Sequence, residues 1–231
     1  MGAITTKAEY AGHDQLVAMH QARNYNAMIE RLLERWLGAR HFLIDIGAGV
    51  GEFTMRMSAR GHYVLGVEPD PAQCEVIRSH GLHCVQSVAE LRAASFDGAY
   101  SLNVLEHIDD DVGALRAWRE ALRPDGLLVL YVPAFPVLFS AMDRAVGHYR
   151  RYTRDSLKRV VQEAGFTVVR SGYADSVGFL AALALRARGG DGSLSPATVW
   201  FYDRMIFPLS RLLDVAFGQI GGKNVWLVAR R

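Results

Sequence analysis

In LIDIGAGVGEFT, residues 43–54, glycines recur at every second position, Gly47, Gly49 and Gly51. They follow an apolar run and precede a helix-like segment. Glycine has no Cβ, so the chain turns sharply there and a ligand can approach the backbone closely. A dinucleotide fingerprint is spaced G-x-G-x-x-G and sets a pyrophosphate on a helix N-terminus. Here the third glycine comes one residue early. Asp45 stands two residues before the first glycine, where its charge suits a cationic group and opposes a pyrophosphate. Glu68 ends the next apolar run, and a carboxylate there can accept from both ribose hydroxyls of a nucleoside. These residues favour a cationic nucleoside. The spacing alone leaves a nicotinamide dinucleotide open.

A second set of reactive side chains lies further on. His107 ends SLNVLEH, and Asp143 precedes GHYRRY, residues 147–152. A histidine has the unperturbed pKa of a general base. His148, Tyr149 and His107 are the candidate catalytic residues, with His107 read more readily as a pocket-lining one. Asp143, Arg151 and Tyr152 are the candidate acceptor contacts. Arg150 and Arg151 could grip a phosphate or carboxylate bidentately, and Tyr149 and Tyr152 could stack on a ring or a sugar. The competing reading has this segment only pack a neighbouring insert against the sheet. No cluster with metal-ligand spacing is expected.

Apolar runs and helical segments alternate around these residues. Strands are expected at 41–47, 63–69, 82–88, within 96–108, and at 127–134, 166–173 and 224–231. Helices are expected at 51–61, 71–81, 111–126 and 154–166, the last capped by Asp155 or Thr153. The alternation reads as an α/β fold, a doubly wound, mostly parallel seven-stranded sheet. The strands are apolar nearly throughout, as in sheets buried on both faces. Residues 16–37 carry Met28, Leu32, Leu33 and Trp36 at helical spacing, ended by Gly38. The expected layout is a helical cap at 1–38, a core at 39–173, a helical lid or insert at 174–223 interrupted at Pro208, and a final strand at 224–231.

LIDIGAGVGEFT, GVEPD, SLNVLEHI and LRPDGLLVLYVP occur in that order. Together they resemble the successive motifs of the class I, Rossmann-like S-adenosylmethionine-dependent methyltransferases. FSAMDRAVGHYRRYTRDSLKRVVQEAGF is similar to a segment of a bacterial subgroup with HYRRY after the fifth strand. The resemblance implies that Asp45 holds the methionine amino group and that Gly47, Gly49 and Gly51 lie beneath the methionine. It implies that Glu68 and Pro69 border the ribose and that Asn103 and Val104 face the sulfonium. Tyr25, with Asn24, would close the pocket from the first helix, although the apolar stripe there also reads as plain core. The third strand departs from the family pattern: VQSVAEL places Ser87 and Val88 where an adenine-binding Asp is common, and Glu90 matches only by a stretched alignment. The implied cofactor is S-adenosylmethionine, and the implied activity is methyl transfer to a small-molecule or glycan- or lipid-linked acceptor. A nicotinamide-dependent oxidoreductase and a non-catalytic partner protein that binds the cofactor are the alternatives.

Residues 1–143 hold 12 Lys/Arg against 18 Asp/Glu, a net of −6, whereas 144–231 hold 14 against 6, a net of +8. A basic half suits an anionic acceptor or surface, or is simply solvated arginine. The basic half lacks a nucleic-acid-binding module, so nucleic acid is disfavoured as a partner. The insert mixes Phe179, Leu180, Trp200, Phe201, Phe207 and Leu209 with Arg186, Arg188, Arg204 and Arg211. That suits a peripheral membrane contact, an acceptor pocket or a homodimer face. Cys74 and Cys84 are expected as buried free thiols in a reducing, cytoplasmic setting.

Overall fold

A computed structural model of the chain describes residues 22–187 and 195–231. Residues 1–21 of the expected cap and residues 188–194 of the insert, with Arg188, lie outside the described residues.

Helix α1 (Arg23–Leu37) buries Met28, Ile29, Leu33 and Leu37 along one stripe, the three- and four-residue spacing of an amphipathic helix. The core then alternates β1 (Phe42–Ile46), α2 (Glu52–Ser58), β2 (Tyr63–Val67), α3 (Pro71–Ser79), β3 (His83–Val85), β4 (Phe96–Leu102), α4 (Asp111–Ala121) and β5 (Leu122–Pro133). A short α5 (Ala141–Ala145), α6 (Arg154–Glu163) and β6 (Thr167–Ala174) follow. The insert comprises α7 (Ser176–Ala187), α8 (Pro196–Phe201), a π-helical stretch Tyr202–Ile206 and α9 (Phe207–Phe217), before β7 (Asn224–Arg230).

The seven strands run in the order β3-β2-β1-β4-β5-β7-β6. Strands β1 to β5 pair in parallel, and β7 is antiparallel to both β5 and β6. Strand order reverses between β1 and β4, so a crevice opens outside their carboxyl ends, where open α/β sheets bind ligands. Side-chain alternation divides the core into two layers. Ile44, Ile46, Leu130 and Val132 face Trp118 of α4 and Leu157 of α6. Leu43, Val129 and Tyr131 face Met28 and Leu33 of α1, Met57 of α2 and Phe207 of α9.

Several boundaries differ from the sequence expectation for local reasons. Helix α4 stops at Ala121, and Leu122 already pairs with Phe96. Pro124 forces Arg123 towards extended backbone, so the helix ends before Pro124 and Gly126 are reached. Strand β3 ends at Val85, because Ser87 and Glu90 close a reciprocal capping box around a 3₁₀ turn at Val88–Glu90. Thr153 caps α6, accepting from the Ser156 amide at 3.1 Å. Pro208 does not break the insert: the irregular stretch lies ahead of it, and Pro208 occupies the first turn of α9, where a missing N–H costs nothing. Cys74 and Cys84, expected as free thiols, are paired as a disulfide with Cα atoms 5.6 Å apart. Packing of α3 against β3 brings the two buried side chains face to face.

The insert is anchored in the core. Phe207 is 2 % exposed within the α1-side core. Asp203 accepts the backbone N–H groups of Asn24 at 3.0 Å and Tyr25 at 2.9 Å. Helix α1 has no side-chain cap of its own, Ala22 standing at that position. A carboxylate about 180 residues away along the chain therefore supplies it. Asp203→Ala is expected to lower stability by about 1–2 kcal/mol, the cost of losing a helix cap, read as a reduced urea midpoint with unchanged slope.

Candidate active site

The glycine turn caps the carboxyl end of β1. Gly47, Gly49 and Gly51 all have left-handed backbone, with φ of 73°, 56° and 83°. A Cβ on Gly47 would lie 2.3 Å from Val104 Cγ2, and one on Gly51 would lie 2.6 Å from Ile77 Cγ1. A Cβ on Gly49 would meet only Gln73 Oε1 at 3.4 Å. The turn is thus sealed against α3 and the β4 end, and open at its middle. Four of its five amides are already engaged. Gly47 and Ala48 donate to the Val67 carbonyl, Gly51 donates to Ala48, and Gly49 donates to Glu68 Oε2 at 2.8 Å. Glu68 Oε1 accepts from Asp70 at 3.0 Å, across the exposed Pro69. Glu52 sits in the first turn of α2. Carboxylates stand where a pyrophosphate would need free N–H donors, which speaks against a dinucleotide.

Asp45 is buried on the α2 side of β1 and accepts Thr54 Oγ1 at 2.6 Å. Burial pushes its carboxyl up to about 7, aided by the nearby Glu68 charge and only partly offset by hydrogen bonding. Among the described residues no cation pairs with it, so an incoming ammonium would find a carboxyl that gains from being neutralised. Asn103, with φ of 55°, follows β4 and donates to the Tyr131 carbonyl at 2.7 Å. Tyr25 packs edge-on against Tyr131 and Phe207, with ring centroids 6.0 and 5.8 Å apart. Burial raises its hydroxyl to about 12, against hydrogen bonds from Tyr131 and Asn103. The structure therefore brings Tyr25 to Asn103 at the β4 end, while Val104 presses on Gly47. Ser87 and Val88 stand beyond β3: Ser87 is exposed and accepts from the Ala89 amide, and Val88 packs against the α4-side core. Glu90 is committed to the amides of Gln86 and Ser87.

The HYRRY segment divides. Arg150 is bound to Asp111 at 3.0 Å and Asp109 at 3.2 Å. Arg151 forks onto Asp143, Nε to Oδ1 at 2.8 Å and Nη2 to Oδ2 at 3.0 Å. Both guanidinium groups expected to grip an anionic acceptor are spent on protein carboxylates. Tyr152 is buried, its hydroxyl donating to Asp111 at 2.8 Å, so its ring is part of the core and not of an open face. Tyr149 is 58 % exposed. Asp143 is buried and also accepts His148 Nδ1–H at 2.7 Å and the Ser140 amide and hydroxyl at 2.7 and 2.8 Å. Burial would raise this carboxyl, but the bonds from His148 and Arg151 outweigh it and hold it well below the usual carboxylate range.

Glu106 was not singled out by its spacing, although it adjoins His107 in sequence. It is fully buried, and neither carboxylate oxygen has a hydrogen-bond partner. Burial raises it to about 8. Its Oε1 lies 4.0 Å from His148 Nε2. His107 packs edge-on against His148 with centroids 4.5 Å apart. Partial burial and the neighbouring imidazole push His107 down to about 4. One donor atom each from Glu106, His107 and His148 lie within 4.8 Å of one another, close enough to share a cation. Nearby, Phe135 and Asp175 follow β5 and β6 with φ of 61° and 65°. Left-handed, non-glycine backbone thus recurs after β4, β5 and β6, strain of the kind that gathers at functional edges.

Residues 17–171 match the family model described as a methyltransferase domain. Ubiquinone biosynthesis O-methyltransferase of Xanthomonas oryzae pv. oryzae is 35% identical over 103 residues, 40% of this chain and 42% of that protein. The enzyme of that name from Idiomarina loihiensis is 29% identical over 114 residues, 45% and 43% of the two chains. The match thus spans less than half the length of these curated relatives. A SAM-dependent methyltransferase of Archaeoglobus fulgidus superposes with a TM-score of 0.60 at 18% identity, covering 89% of this chain and 94% of that one. Burkholderia thailandensis 1,6-didemethyltoxoflavin-N1-methyltransferase gives 0.57 at 22% identity, covering 100% and 92%. These structural likenesses show a shared fold. The chain belongs to the class I S-adenosylmethionine-dependent methyltransferase family, and its cofactor is S-adenosylmethionine. The open middle of the glycine turn and the unpaired Asp45 carboxyl fit that cationic nucleoside.

Two outcomes are expected. Gly47→Ala should cost more than about 1 kcal/mol of stability and abolish cofactor binding by calorimetry, with Val104→Ala relieving part of the stability loss. Asp45 binds a proton more tightly folded than unfolded, so stability should fall as pH rises from about 4 towards 7. Asp45→Asn should therefore melt higher than the parent at pH 8, match it near pH 4, and bind S-adenosylmethionine more weakly.

Proposed function

We propose that the chain transfers the methyl group of S-adenosylmethionine to a hydroxyl oxygen of a small-molecule or lipid-linked acceptor, with His148 as general base. The observation that carries this reading is the 2.7 Å contact between Asp143 and His148 Nδ1. A carboxylate on Nδ1 fixes the proton there and leaves the Nε2 lone pair free to accept another. When bound, S-adenosylmethionine supplies a methyl group already made electrophilic by a sulfonium sulfur.

The residues need to align an oxygen with that methyl, exclude water and take one proton. Alignment of this kind supplies about 7–11 kcal/mol of the barrier reduction. The acceptor hydroxyl gives its proton to His148 Nε2 as oxygen gains the methyl, and Asp143 stabilises the imidazolium that results. Arg151 and Ser140 hold Asp143 in place for this. His107, kept neutral, braces the His148 ring. Phe135, stacked on Tyr173 and against Phe179 at 4.8 Å each, offers an aromatic wall for an apolar acceptor. Engagement of Arg150 and Arg151 by carboxylates favours an uncharged acceptor over an anionic one. The curated relatives named O-methyltransferases support oxygen as the atom methylated.

A second reading rests on the convergence of Glu106, His107 and His148: a divalent cation there would activate the hydroxyl instead. His148→Ala and Asp143→Asn are expected to lower kcat by about 10²–10⁴-fold with the cofactor Kd unchanged, in a labelled-methyl assay on hydroxylated acceptors. Turnover should survive a chelator. Loss on chelation, restored by divalent metal, would replace the base by a cation.

A further inference from the structure

We propose that the insert docks on an anionic lipid bilayer surface, a binding role separate from methyl transfer. Large apolar side chains lie outward on it. On α9, Leu209, Leu212 and Val215 recur every three residues and are 54 %, 70 % and 87 % exposed. Met205 before them and Ile220 after them, 62 % and 74 % exposed, lengthen the stripe. The opposite side of the same helix is anchored: Phe207 and Ser210 are buried, and Asp214 accepts the Asp175 and Ser176 amides at 2.9 and 2.8 Å. The outward stripe is therefore a second apolar face, not the one that holds the helix to the core. Contiguous apolar surface of this extent marks an interaction site.

Charge selects the occupant. Arg204 and Arg211 are exposed beside the stripe. The acidic residues among the described part of the insert face inward, Asp203 onto α1 and Asp214 onto the start of α7. The outer face is thus cationic and apolar, the composition of an interfacial helix on anionic lipid. A second copy docked on this face would gather four arginines with no outward acid of the described insert to offset them, which disfavours a homodimer through this face. No helix among the described residues is long and apolar enough to cross a membrane, so the contact is with the surface. The position also suits the site. Helix α7 turns Phe179 onto the Phe135 wall while Leu180, 63 % exposed, faces outward. An acceptor anchored in lipid would meet that wall from the docked side.

The test is sedimentation of the full chain with vesicles of phosphatidylcholine alone or mixed with phosphatidylglycerol, without turnover. The parent is expected in the pellet with mixed vesicles and in the supernatant with phosphatidylcholine alone, and to be released by salt. Leu212→Glu with Val215→Glu should reduce the bound fraction at least about tenfold. Arg204→Glu and Arg211→Glu should each weaken binding about fivefold or more. Val76→Glu, on the exposed side of α3, should bind as the parent does. Unchanged circular dichroism and S-adenosylmethionine binding establish that the variants fold. A parent that stays soluble with both vesicle types overturns the proposal. So does equal binding by the Leu212/Val215 variant, or a dimer by light scattering that this variant dissociates.

Discussion

The Glu68 carboxylate, holding the amides of Gly49 and Asp70, is the contact on which the cofactor end of the fold depends. It ties the carboxyl end of β2 to the turn that leaves β1, and it takes the donor that a phosphate would otherwise use. Val104 presses on Gly47 and Ile77 presses on Gly51, so only glycine fits at those points. One buried carboxylate and two close approaches thereby decide both the path of the chain and the charge of the ligand. The turn that cradles polyanions elsewhere is here lined by Asp45, Glu52 and Glu68.

Buried carboxylates organise the rest of the molecule as well. Burying an acid is costly unless it is paired or hydrogen-bonded. Asp203 meets that condition by capping α1, and Asp143 by binding Arg151, His148 and Ser140. Asp175 meets it by accepting Ser210 at 2.8 Å and the Gly178 amide at 3.0 Å, which ties α7 and α9 to the end of β6. Asp45 meets it in part, through Thr54, and Glu106, with no hydrogen-bond partner on either oxygen, does not; both sit at the carboxyl edge of the sheet. The two least satisfied acids thus lie at the edge where open α/β sheets bind ligands.

The basic C-terminal half reads differently once folded. Arg150 and Arg151 are internal braces, so the charge that the chain shows outward there comes in part from the insert. That insert serves two surfaces. Its inner side gives Phe207 to the core and Phe179 to the acceptor wall, and its outer side carries apolar residues flanked by arginine. The helices that stabilise the core are thus the same ones on which the proposals above place acceptor access and surface attachment.

Much of this was legible in the sequence, because it rests on local chemistry. The period of the apolar residues yields the strands and helices, and the glycine spacing with Asp45 and Glu68 yields a cationic nucleoside site. Boundaries that depend on a neighbour were missed: α4 stopping at Ala121, β3 ending at the Ser87–Glu90 box, and the pairing of Cys74 with Cys84 across α3 and β3. The division of HYRRY was not legible either. An arginine looks the same in sequence whether it faces solvent or a buried carboxylate, and only the packing of α4 and α5 against that segment assigns Arg150 to Asp111 and Arg151 to Asp143. The amino-acid sequence by itself determined the sheet and narrowed the ligand to a nucleoside, since the apolar periods and the glycine spacing are patterns within a few residues; the choice of S-adenosylmethionine over a dinucleotide needed the order of motifs along the chain. The tertiary structure alone decided which histidine has a carboxylate on its Nδ1 and which acid caps α1, because those partners come from different elements and meet only when the chain folds.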